Sequence, residues 1–88
     1  MRYRMTLDNS RIGRRYIITL EEDKGKWQAL RYISFSQEND QHLLGTAVVA
    51  TTAYDAFVKV KELIEDADAD IFDVDWQFEE PLPPWLLE

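Results

Sequence analysis

The stretch 14-RRYIITLEEDKGKWQALRYISF-35 decides the fold. Its first part, Arg14 to Glu22, is rich in β-branched side chains, which suit the pleated, half-buried surface of a strand. DKGK, residues 23–26, supplies turn chemistry, and Trp27 to Phe35 reads as the returning strand of a β-hairpin.

On its N-terminal side, Met1, Tyr3, Met5 and Leu7 alternate with Arg2, Arg4 and Thr6, the period-two signature of a strand with one buried face. DNSRIG, residues 8–13, turns that strand toward the hairpin. On the C-terminal side, SQENDQ (residues 36–41) is a polar loop, and LLGTAVVA (residues 43–50) is too short and too β-branched for a helix, so a strand is expected. Thr52 followed by Asp55 then has the TxxD form of a helix-capping box, whose side-chain oxygens satisfy N-terminal amides. Ala53, Ala56, Phe57, Val60, Ile64 and Ala67 fall on one helical stripe that must face a sheet. Asp55 with Lys59, and Lys61 with Glu65, are i,i+4 pairs that support the helix and mark no site. Phe72, Val74, Trp76 and Phe78 alternate with Asp73, Asp75, Gln77 and Glu79, so a last strand with one acidic face is expected.

These elements define an α+β domain: a mostly antiparallel sheet of four to five strands with one long helix packed on one face, in the order β-β-β-β-α-β. The domain is expected to span residues 1–80, with 81–88 as a proline-rich apolar tail. The central β-β-β-α-β order resembles the topology of HicB-type antitoxin domains, with 50-ATTAYDAF-57 at the point where that family enters its helix. The Pro-Gly segment that precedes the helix in that family has no counterpart in 36-SQENDQHLLGTAVVA-50.

Charge is unevenly spread. Residues 1–31 carry a net +4 and residues 32–88 a net −11, which together make the formal charge of −7. Two halves of opposite sign either address different partners or neutralise each other in the fold. There is no cysteine, so disulfides, thiolate metal sites and a cysteine nucleophile are excluded. The opening MRYRMTLDNS lacks an apolar signal core, and no apolar run approaches the roughly 20 residues of a membrane span. A cytoplasmic protein without membrane contact is expected.

The acidic run raises the question of metal. Asp66, Asp68 and Asp70 match the first ligands of a calcium loop, but Ile71 and Gln77 stand where that loop needs its glycine and its bidentate glutamate. Asp73 and Asp75 form a DxD pair, without the third carboxylate and the phosphate cradle that magnesium chemistry uses. His42 is the single histidine, and Ser10, Ser34 and Ser36 lie in no nucleophile motif. No catalytic residue, metal ligand or cofactor site is assigned, and the chain is read as no enzyme.

What remains is interaction. Asp66, Asp68, Asp70, Asp73, Asp75, Glu79 and Glu80 form a carboxylate surface without an intervening Lys or Arg, and Trp85, Leu86 and Leu87 follow as an apolar anchor. The expected role is a small acidic interaction module, an inhibitor or accessory subunit, that engages a basic surface on another protein by imitating nucleic-acid phosphates. Two readings of the tail stand side by side: it covers its own core, or it docks onto a partner, including a second copy in a homodimer. The alternative function is single-stranded nucleic-acid binding through Arg2, Arg4, Arg14 and Arg15, with Tyr3, Tyr16 or Tyr32 stacking on bases. Against it, those arginines can be spent in pairing with the acidic face of the last strand.

Overall fold

The computed structural model describes residues 1–9, 13–35, 40–68 and 75–86. Among them the chain forms β1 (Arg2–Asn9), β2 (Arg14–Asp23), β3 (Lys26–Phe35), β4 (Gln41–Ala50), α1 (Ala53–Ala67) and β5 (Gln77–Phe78). The sheet order is β4-β3-β2-β1-β5, and every pairing is antiparallel. This is the α+β architecture expected from the pattern, helix after the fourth strand included.

The hairpin forms as expected. Asp23 pairs with Lys26, and the two residues between them, Lys24 and Gly25, both have positive φ, as a two-residue type I′ connection requires. β4 begins at Gln41, two residues before the expected start, because Gln41 and His42 still find partners in Ser34 and Ile33. A register shift between Ala29 and Arg31 interrupts that ladder near Gly45, whose φ is +60°. A β-carbon on Gly45 would stand 2.6 Å from an Arg31 guanidinium nitrogen, so both backbone and neighbour favour glycine there.

α1 starts at its predicted cap: Thr52 Oγ1 accepts the backbone N–H of Asp55 at 3.1 Å. Ala53, Ala56, Phe57, Val60 and Ile64 are buried, but Ala67 is exposed, so the stripe ends one turn earlier than the pattern implied. Lys61 and Glu65 meet at 3.4 Å.

The last strand departs most from expectation. Among the described residues of the expected strand, Gln77 and Phe78 form a ladder opposite Thr6 and Met5, and the Glu79 N–H extends it by one bond to the Arg4 carbonyl. Asp75 and Trp76 lie outside any strand, while Phe72, Asp73 and Val74 fall outside the described residues. The prolines at 81, 83 and 84 carry no N–H with which to prolong the ladder.

A helix about 10 Å across cannot cover five strands spaced about 4.8 Å apart. α1 lies over β2, β3 and β4, and aromatic rings fill the remainder. Phe57 meets Trp76, Phe78 and Trp85 at ring-centre distances of 6.1, 5.7 and 6.0 Å. The core is therefore the helix-facing side of β1 and β2 (Tyr3, Met5, Leu7, Tyr16, Ile18, Leu20), closed by α1 and by the C-terminal segment.

Candidate functional site

The described members of the acidic run differ in their surroundings. Asp66 is exposed on the last turn of α1, and Asp75 and Glu80 are exposed further along the chain. Asp68 is only 6% exposed: it follows the helix, accepts a 2.7 Å hydrogen bond from the Tyr16 hydroxyl, and lies 3.8 Å from Arg14 Nη1. It is a core carboxylate rather than a surface one. Burial, and then the bond to Asp68, raises the Tyr16 hydroxyl above the ordinary tyrosine pKa. Asp70, Asp73 and Leu87 lie outside the described residues. Glu79 is held by Arg4 at 2.7 Å.

The arginines divide between the two sides of the sheet. Arg14 sits on the helix-facing side beside Asp68, as do Tyr3 and Tyr16, whose rings are buried there. Arg2, Arg4 and Arg15 share the opposite, open side with Tyr32. On that side Arg4 pairs with Glu79 and Arg15 with Asp8, whose hydrogen bond raises the Arg15 pKa further. Arg4 with Glu79 is the pairing expected with the acidic side of the last strand, whereas Arg15 meets Asp8 of β1 and Arg14 meets Asp68 at the end of the helix.

The tail folds back. Pro83 is buried, and Pro84–Leu86 makes one turn of 3-10 helix that places Trp85 edge-on to Tyr3 (6.0 Å) and Tyr54 (5.6 Å) and stacked on Phe57. Leu86 remains exposed. Together these rings create a feature that no local spacing announced, an open cleft of about 750 Å³ lined by Tyr3, Trp27, Thr52, Ala53, Tyr54, Pro84 and Trp85. Tyr3 and Trp27 stack nearly parallel at 5.4 Å, while Trp85 stands at about 70° to both Tyr3 and Tyr54, so the walls meet as a corner.

Four parts of the chain supply these walls: β1 gives Tyr3, β3 gives Trp27, the first turn of α1 gives Tyr54, and the tail gives Trp85. Glu22 is the cross-strand partner of Trp27 and faces the same way, and Asp55 follows Tyr54 in the first helical turn. Lys26 opposes Asp23 on the other side of the sheet. Among the described residues no carboxylate, imidazole or amine lines the cleft itself, and the Thr52 hydroxyl oxygen already accepts the cap hydrogen bond. Such walls bind by shape and by the negative faces of their rings, which attract cationic and apolar groups. A sequence signal existed only in the placing of aromatics at element ends, Trp27 beside a turn and Tyr54 beside a cap.

Among the described residues no three His, Asp or Glu gather as a metal-holding group. His42 is exposed on β4 with its ring 6.3 Å from that of Phe35. No helix among the described residues is long and apolar enough to cross a membrane. The chain matches no protein-family model, no curated protein and no solved structure. The shared element order with HicB-type domains therefore carries no functional assignment.

Proposed function

We propose that this chain is a non-catalytic, cytoplasmic protein-interaction module that takes a basic segment of a partner protein into the aromatic cleft. The observation that carries this reading is the corner of Tyr3, Trp27, Tyr54 and Trp85 on a chain of net charge −7. Rings give a cationic side chain a face to rest on, and Glu22, the cross-strand partner of Trp27, with Asp55, next to Tyr54 in the chain, adds attraction that steers encounter. Occupying a basic surface in this way is how an inhibitor or accessory subunit acts, and exposed Asp66, Asp75 and Glu80 then stand in for phosphates at the periphery.

The test uses a lysine- and arginine-rich peptide and a neutral peptide of equal length, titrated against the full chain and followed by tryptophan fluorescence. Saturable binding of the basic peptide alone is expected, weakened by salt and reduced at least tenfold by Tyr54→Ala, a position 51% exposed and so tolerant of change. No saturable binding, or binding indifferent to Tyr54, rejects the reading.

A second reading, single-stranded nucleic-acid binding, draws support from Arg2, Arg4, Arg15 and Tyr32 sharing the open side of the sheet. It ranks lower because Arg4 and Arg15 already hold carboxylates, and because Arg14 lies on the other side. Oligonucleotide binding that falls steeply with salt and is lost in Arg4→Ala with Arg15→Ala would favour it.

A further inference from the structure

The side of the sheet away from α1 is covered by none of the described elements, yet it is organised. One row crosses all five strands: Gln77, Thr6, Ile17, Tyr32 and Leu43 are successive cross-strand partners. Ile17 is 0% exposed although it points away from the helix-side core. Leu30 lies beside this row on β3, and Leu43 and Val49 on β4 are 55% and 52% exposed. The β3–β4 half of the face therefore carries an apolar patch of Leu30, Tyr32, Leu43 and Val49, flanked by the polar Gln28, Ser34 and Gln41 and by Lys26 opposite Asp23.

The β1–β2 half is charged but balanced. Arg4 holds Glu79, Arg15 holds Asp8, and Arg2 stands opposite Glu21. β4 itself, from Gln41 to Ala50, contains no Asp, Glu, Lys or Arg. With Asp23 opposite Lys26 as well, the described residues of this face are balanced in a chain of net charge −7.

From this geometry we infer that the open side of the sheet packs against the same side of a second copy of the chain, forming a two-fold dimer whose contact includes Tyr32 and Leu43. The charge pattern selects that occupant. A polyanion needs arginines whose charge is unspent, and a basic partner needs surplus carboxylate, but a face bearing matched signs beside an apolar patch complements itself under a two-fold axis. Two sheets packed this way interdigitate their apolar side chains about 10 Å apart. Four strands at about 4.8 Å spacing and about 30 Å length offer roughly 600 Å² of face. A pair therefore hides about 1,200 Å², at the low end of specific interfaces. This dimer uses neither the cleft nor the tail, so it stands independently of the proposed function.

Sedimentation of the full chain from about 1 to 500 µM tests it. The mass should rise from 10.4 kDa toward twice that value, at lower concentrations in high salt, where net repulsion between copies is screened. Leu43→Glu and Leu43→Lys should each raise the dimerisation midpoint at least tenfold, since both place a charge on the face whatever its sign. Leu63→Glu, on the exposed side of α1, should leave it unchanged. Circular dichroism and unfolding midpoints identify any variant that has lost its fold, and Val49→Lys then takes its place. A monomer at every concentration overturns the inference. So does a dimer insensitive to both Leu43 changes, or one abolished by Leu86→Ser, which would locate the contact at the tail.

Discussion

The Tyr16 hydroxyl donates to the Asp68 carboxylate at 2.7 Å, joining the second strand to the end of the helix across 52 positions of sequence. A hydrogen bond to a buried charge is worth about 1.5 to 3 kcal/mol. Tyr16→Phe should therefore lower stability by about 2 kcal/mol in urea unfolding, with Arg14 still 3.8 Å from Asp68. A loss below about 0.5 kcal/mol would show that the bond contributes nothing net.

The same pair makes stability depend on alkaline pH. The Tyr16 pKa is raised, by burial first and by Asp68 second, so the folded chain keeps this proton after the unfolded chain has released it. The contribution is whole below the unfolded value of about 10 and is lost as pH rises through the folded value. Urea midpoints at about pH 8, 10 and 11 should fall more steeply in the wild type than in Tyr16→Phe. Equal slopes would remove Tyr16 as the source.

Gly45→Ala tests the β4 irregularity. A left-handed residue other than glycine costs roughly 1 to 2 kcal/mol, and here the added methyl also meets Arg31. The substitution should destabilise by at least about 1 kcal/mol. Because the guanidinium is the flexible party, Arg31→Ala should recover part of the loss in a double-mutant cycle, and strict additivity would show that backbone strain alone is responsible.

Phe57→Ala removes the ring that bridges α1 to the C-terminal aromatics and should cost about 3 to 5 kcal/mol. Trp85→Ala, at a half-buried position, should cost about 2 kcal/mol in the isolated chain. An unchanged unfolding midpoint for Trp85→Ala would mean that the tail does not close the core.

Thr52→Ala should cost about 1 kcal/mol, since it deprives the Asp55 N–H of its acceptor at the helix start. Thr51→Ala, which makes no cap bond to that N–H, provides the control in the same thermal unfolding series.

Local pattern accounts for much of this protein. The 14–35 hairpin, the capped helix from Ala53 and the β-β-β-β-α-β order are carried by periodicity, turn residues and one cap, each acting within a few positions. The sequence also contained the charge imbalance and the apolar tail. It did not contain the placement of β5 beside β1, because either sheet edge satisfies the alternation of so short a strand. It misled about Asp68, which reads as one of a run of solvated acids until the fold brings Tyr16 and Arg14 to it. The cleft likewise joins residues 3, 27, 54 and 85, and the open face balances its charges only once the strands are in register. Secondary structure follows from nearest neighbours along the chain. Burial, ion pairing and cavities depend on which distant residues share a face, and only tertiary packing decides that.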